Sequence, residues 1–142
     1  MAIVLFDTNI LIDNLEGHAA AVAELMYYDD CIISSINWLE VACKMDQTAR
    51  QRFRAFLNGA SIRIVHPDDA IIERAATLRG NSLLTPPKFP RLDCIVRATA
   101  EMAGRLIITR NPADFGGEGP MVRVPYDIVN GVAVNMKPPP PG

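Results

Sequence analysis

Ile3-Val4-Leu5-Phe6 is an unbroken apolar run stopped by Asp7, the pattern of a short strand covered on both faces in a parallel sheet. The pattern returns at Cys31–Ser34, Ile62–Val65 and Leu106–Ile108, and once more, briefly, over residues 121–124. Helical periodicity fills the gaps. Ala19, Val22, Ala23, Leu25 and Met26 share one side of a helix over about residues 18–28, which Asp29-Asp30 break. Ser35 caps a helix that begins near Ile36, and a further helix over about 47–57 stops at Asn58-Gly59. Asp68 or Asp69 opens a helix reaching about Arg79, and residues 80–90, with prolines at 86, 87 and 90, read as a loop. Residues 91–103 form a last helix stopped by Gly104. This alternation predicts an α/β fold, a three-layer α/β/α sandwich around a mostly parallel sheet of about five strands. Beyond Pro125 the pattern fades. The expected domain therefore spans residues 1–125, with 126–142 a proline-rich tail that closes on four prolines at 138–141, lies outside the core and has no catalytic role.

Composition narrows the picture. The chain has 142 residues, 49% apolar and 21% charged, which suits one domain with a single core. Its 14 Lys and Arg against 16 Asp and Glu leave a net charge of −2. No bulk positive field gathers nucleic acid, so such a partner must be held by a local patch. The N-terminal apolar run has no basic residue before it, and no stretch of about 18 apolar residues follows. A signal peptide and a membrane span are both disfavoured, and the cytoplasm is the expected location. Cys31, Cys43 and Cys94 lie far apart without C-x-x-C spacing, as buried free thiols do in a reducing compartment.

The carboxylates carry the candidate chemistry. In an open parallel sheet, functional groups gather where strands end at their carboxyl edge. Asp7 directly follows the first strand, where it is either a functional acid or a plain helix cap for Thr8-Asn9. Glu40 lies within a turn of Ile36 and Cys43, at the border of an apolar helix face, and Lys44 at i+4 is its alternative surface partner. Asp93 sits in the first turn of the last helix, a place the helix dipole also favours for an acid. Asp114 follows the fourth strand and doubles as a turn aspartate. Together the four fall at one predicted edge. Two carboxylates about 5 Å apart repel by roughly 3 kcal/mol at an effective dielectric near 20, so such a cluster must protonate, distort or bind a cation. Carboxylate oxygens suit Mg²⁺ or Mn²⁺, which retain water when few protein ligands are offered.

Asp7-Thr8-Asn9-Ile10-Leu11-Ile12-Asp13, the mid-chain Glu40, Leu92-Asp93 with Ala98-Thr99-Ala100, and Thr109-Arg110-Asn111-Pro112-Ala113-Asp114-Phe115 resemble the motifs of PIN-domain nucleases, VapC-type toxins in particular. The resemblance covers about residues 2–125. It implies a PIN-like sandwich and a ribonuclease in which Asp7, Glu40, Asp93 and Asp114 surround Mg²⁺ or Mn²⁺. The ion would activate a water to attack phosphorus and offset charge on the departing 3′ oxygen. Thr8, Asn9, Thr109 and Asn111 are then candidate supporting or substrate-contacting groups, Asn9 and Thr109 foremost. It further implies a cognate antitoxin and a homodimer, in keeping with a mean hydropathy of +0.13, high for a soluble monomer.

One position departs from that pattern: Arg97, four residues after Asp93, where such toxins generally carry a small apolar residue. It either contacts RNA phosphate or forms an i,i+4 ion pair with Asp93 that competes with a metal. Arg91 and Arg110 are further candidates for phosphate contacts, whereas Arg50, Arg52 and Arg54 alternate along a helix and read as solvated surface. His18 and His66 lie outside the strand-edge motifs, and no Ser-His-Asp or Cys-His arrangement has a nucleophile in context. Two other classes compete. A phosphate-handling switch also places an aspartate after its first strand, but D-x-D and a late lysine are missing. A catalytically weak PIN domain acting as a partner-binding module is kept open by Arg97.

Overall fold

A computed structural model describes residues 2–140. Five short strands, β1 (Val4–Phe6), β2 (Cys31–Ser34), β3 (Ile62–Val65), β4 (Leu106–Ile108) and β5 (Val122–Arg123), form one sheet in the order β3-β2-β1-β4-β5. Every pairing in it is parallel. Parallel strands need crossovers that cover both faces, which explains the continuous apolar runs. The period of two then sorts the side chains. Val4, Phe6, Ile33 and Ile108 face Ile10 and Leu11 of helix α1 (Thr8–Leu15), Leu25 of α2 (Ala19–Tyr27), and Phe53 and Leu57 of α4 (Gln47–Gly59). Leu5, Ile32, Ile107 and Val122 turn the other way, onto Val96 and Ala100 of α6 (Arg91–Met102). Ile71, Ala75 and Leu78 of α5 (Asp69–Leu84) pack against Cys94 and Ala98 of α6. The α/β/α sandwich is thus as the sequence predicts, and truncating one of these buried side chains to alanine costs about 2–5 kcal/mol.

Several local expectations are corrected. Asp7 is the helix cap the sequence offers, but what it caps is a full helix, α1, and not a turn, with Ile10 and Leu11 buried. Helix α5 does not stop at Arg79 but continues through Gly80 to Leu84, so half of the expected loop is helical. Its buried seam of Ile71, Ala75, Leu78 and Ser82 keeps helical spacing, and packing against α6 outweighs the roughly 1 kcal/mol cost of one mid-helix glycine. Residues beyond Pro125 are not all tail. Tyr126 is 1% exposed within the main core, and β6 (Asp127–Val129) pairs antiparallel with β7 (Val132–Val134). Asn130 and Gly131 join them with φ of 52° and 76°, the left-handed pair that a two-residue hairpin turn requires. The following segment lies along the surface: Arg123 donates to the carbonyls of Lys137 and Pro138, and the Tyr27 hydroxyl to that of Pro140. Of the four closing prolines, Pro141 lies outside the described residues.

Cys31 and Cys94 are buried and free, but Cys43 is exposed, because it ends helix α3 (Ser35–Ala42) and turns to solvent. Nor are Arg50 and Arg54 independent surface groups. Four residues apart on α4, they share a face and reach back to α3, Arg50 onto the Ala42 carbonyl and Arg54 over the Trp38 ring at 4.3 Å.

The strand order positions the site. From β1 the chain steps outward to β2 and β3, then returns to β4 and β5 on the other flank. The carboxyl ends of β1 and β4 therefore adjoin where the order reverses, the place where open α/β sheets form a crevice.

Candidate active site

Asp7 leaves β1 directly into that crevice and is 7% exposed. Its Oδ1 accepts the Thr8 backbone N–H at 2.8 Å and its Oδ2 the Thr109 hydroxyl at 2.8 Å, from the end of β4. The amides of Asn9 and Asn37 approach it at 3.4 Å each. All of these donors are neutral. Burial pushes the Asp7 carboxyl up to about 6, the Glu40 and Asp114 charges add to this, and the Thr109 and Thr8 hydrogen bonds pull against it.

Glu40 is brought to the same edge by α3, where the Thr8 hydroxyl donates to its Oε1 at 2.8 Å. Thr8, not Lys44, is its partner. Asp93 lies in the first turn of α6, and burial followed by the charges of Asp114, Asp7 and Glu40 pushes it up to about 7. Asp114 stands in a 3-10 turn, Pro112–Phe115, and accepts from the Asn111 side chain at 2.6 Å. The structure thus brings together the four acids that the sequence singled out. Thr109 is the hub between them: it holds Asp7, accepts the Asn111 backbone N–H at 2.9 Å and receives the Asn9 amide at 3.3 Å.

Two of the three candidate arginines, Arg97 and Arg110, behave otherwise. Arg97 does not pair with Asp93; its Nε meets Glu101 at 3.2 Å, one turn further along α6, and its guanidinium lies 5.3 Å from the Phe89 ring centre. Arg110 turns away from the acids to Asp13, at 2.6 and 3.1 Å. Asn37 is the site residue that sequence reasoning missed. Fully buried, it accepts the Ser34 N–H at 2.8 Å and donates to Asp7 and to the Thr8 hydroxyl at 3.2 Å. The available signal was the spacing Ser34-x-x-Asn37, a capping-box pattern with asparagine in place of the usual Glu or Gln.

Among the described residues, no Lys or Arg lies within ion-pair distance of Asp7, Glu40, Asp93 or Asp114. Four mutually repelling acids that no Lys or Arg neutralises fit a hard divalent ion. Among the described residues, the side chains that bring three donor atoms within 4.8 Å of one another are Asp13, Glu16 and His18. There, however, the Asp13 charge is already matched by Arg110. Of these two groups, the edge acids are the one with no Lys or Arg partner among the described residues.

A family model of the PIN domain matches residues 4–115. Among solved structures, a toxin-antitoxin complex from Klebsiella pneumoniae contains a chain 35% identical to this one, with a TM-score of 0.75, covering 88% of this chain and 99% of that chain. VapBC2 from Rickettsia felis, bound to a DNA fragment from its promoter, matches at 16% identity and TM-score 0.68, over 85% of this chain and 97% of the other. The Mycobacterium tuberculosis toxin VapC20, which cleaves the sarcin-ricin loop, matches at 14% identity and TM-score 0.53, over 75% and 87%. No curated protein sequence matches the chain. With the fold, the acidic edge and the family match in agreement, this chain belongs to the PIN-domain family.

Proposed function

We propose that this protein is the toxin of a toxin-antitoxin pair, a VapC-type endoribonuclease that cleaves RNA with Mg²⁺ or Mn²⁺ held by Asp7, Glu40, Asp93 and Asp114. One observation carries the reading: the buried Asp7 and the half-buried Asp93, whose carboxyls are pushed up to about 6 and about 7, share an edge with two more acids and, among the described residues, pair with no Lys or Arg. The family match and the relative from a toxin-antitoxin complex support it. The same relative supports an antitoxin protein as partner, and the apolar surface left exposed, Leu15, Leu39 and Leu84 among it, suits cover by that partner and by a second copy.

When bound, the ion supplies a Lewis acid that lowers the pKa of water and offsets charge on the phosphodiester. The protein supplies placement. Thr109 and Asn37 hold the two Asp7 oxygens, Thr8 holds Glu40 and Asn111 holds Asp114, so three of the four acids are oriented by neutral donors before any ion binds. Arg97, beside Asp93 on α6 but not bonded to it, is placed to meet a substrate phosphate. The reading of a catalytically weak module rested on an Asp93–Arg97 pair, and the pairing of Arg97 with Glu101 removes that ground.

The test is cleavage of a structured RNA bearing an exposed loop, with Mg²⁺, with Mn²⁺ and with excess chelator. Activated water leaves a 5′-phosphate and a 3′-hydroxyl, and Asp7→Asn or Asp93→Asn lowers the rate by about 10³-fold or more, the equivalent of several kcal/mol. A 2′,3′-cyclic phosphate end, or cleavage that persists in chelator, overturns the reading.

A further inference from the structure

Arg110 follows Thr109 at the acidic edge, yet it faces away from the acids and is held at both ends by one face of α1. Its backbone N–H donates to Asn9 Oδ1 at 3.1 Å, and its Nε and one terminal nitrogen reach Asp13 Oδ2 and Oδ1 at 2.6 and 3.1 Å. Asn9 and Asp13 are four residues apart on that helix, hence on one side of it. A third segment joins them: the buried Tyr126 hydroxyl, between β5 and the hairpin, donates to Asp13 Oδ2 at 2.8 Å. Asp13 is itself 3% exposed, so an unmatched charge there is costly and the arginine is held tightly.

We propose that Asp13 is a positioning residue for the active site, acting through Arg110 to fix the loop that carries Thr109, Asn111 and Asp114, with Tyr126 setting the Asp13 carboxylate. Arg110 is therefore engaged in the scaffold and is not a substrate ligand. The path is short. Clamping residue 110 places its neighbour Thr109 on Asp7 and its neighbour Asn111 on Asp114. A loop released from Asp13 keeps all four acids but loses the distance between Asp7 and Asp114. Tyr126 ties this arrangement to the C-terminal hairpin, which packs Ile128 and Ala133 on the same core.

This inference rests on the reading of the acids as a cation site, and the experiment separates the two. Asp13→Asn and Tyr126→Phe are compared with wild type by backbone amide hydrogen exchange without metal, and by Mn²⁺ titration without RNA. Asp13→Asn is expected to raise exchange at Arg110, Asn111 and Asp114 by at least tenfold while the central strands keep their protection, and to weaken Mn²⁺ binding about tenfold. Tyr126→Phe, which deletes one hydrogen bond and keeps the ring, gives the same pattern at about threefold and decides the matter if Asp13→Asn does not fold. Where RNA is cleaved, the loss falls on kcat and not on KM. Unchanged loop exchange in both variants overturns the inference, as does a KM effect of Arg110→Lys with unaltered Mn²⁺ affinity. If wild type binds no Mn²⁺, the metal reading fails and the exchange comparison still decides the role of Asp13.

Discussion

Asp13 and Glu24 on one hand and Asp7 on the other are equally hidden, at 3%, 6% and 7% exposure, and only their company differs. Asp13 has Arg110 and the Tyr126 hydroxyl, and Glu24 has Arg123 and the Tyr28 hydroxyl at 2.7 Å. Burial and the adjacent acid push both tyrosine hydroxyls well above their usual range, so they remain protonated donors at neutral pH. Asp7 receives neutral donors alone and shares its edge with three more acids. Burial by itself therefore says little about an acid's role. The same fold supplies a cation to two acids that hold segments together and leaves Asp7 without one, which is where the proposed function puts a bound ion.

The comparison breaks most visibly if a matched acid is stripped of its cation. Arg123→Ala leaves Glu24 buried with only Tyr28 and is expected to lower stability by about 3–5 kcal/mol in urea unfolding. A loss below about 1 kcal/mol would place Glu24 with the solvated acids and dissolve the contrast.

The unmatched acid should show itself through pH. Asp7 titrates near 3.8 when unfolded and near 6 when folded, so the folded state binds the extra proton between those values. Stability from this group is complete below about pH 4 and is lost as pH rises through 6, by up to about 3 kcal/mol. Asp93 adds a decline of the same sign reaching to about pH 7, reduced by its partial exposure. Denaturation in chelator from pH 4 to 7.5 should show wild type falling relative to Asp7→Asn. Parallel curves would mean that Asp7 carries no burial strain and acts as a cap only.

Adding the missing charge should reverse the loss. At pH 7.5 and constant ionic strength, Mg²⁺ at about 100 times its dissociation constant is expected to stabilise wild type by about 2.7 kcal/mol. The gain shrinks at pH 5, where Asp7 and Asp93 are protonated, and falls away in Asp7→Asn. An equal gain in Asp7→Asn, read by thermal melting, would move the ion elsewhere, to Asp13, Glu16 and His18 first of all.

What the sequence disclosed follows the same division. Strands β1 to β4 are legible within a residue because both sheet faces are covered, and the candidate acids stand out because Asp7 and Asp114 follow strands, Asp93 opens a helix and Glu40 borders an apolar helix face. Helix α1 is hidden behind a motif that also reads as a turn, and the end of α5 behind Gly80 and three prolines, since its seam includes a serine. The hairpin was signalled by Asn130-Gly131 between apolar runs, but Tyr126 and Asp13 meet across 113 residues and Arg110 and Asp13 across 97. Partners so distant are chosen by packing, and no local pattern records them. Arg110 looked like a phosphate ligand for that reason.

Arg97 gives the smallest effect and the finest test, because it is a cation at the acidic edge whose charge goes to none of the four acids. Its pair with Glu101 is an i,i+4 contact, with side chains 25% and 28% exposed, and Glu101 keeps Arg74 at 2.6 Å if Arg97 is lost. Arg97→Gln should therefore cost no more than about 0.5 kcal/mol in stability. Since Arg97 does not screen Asp93, Mn²⁺ affinity should stay within about twofold of wild type. In the proposed function its role is toward substrate, so cleavage should show a raised KM and a shallower dependence on salt, with kcat kept. Tighter Mn²⁺ binding in Arg97→Gln would show instead that the guanidinium turns back onto Asp93 in solution, and the edge would then carry a cation of its own.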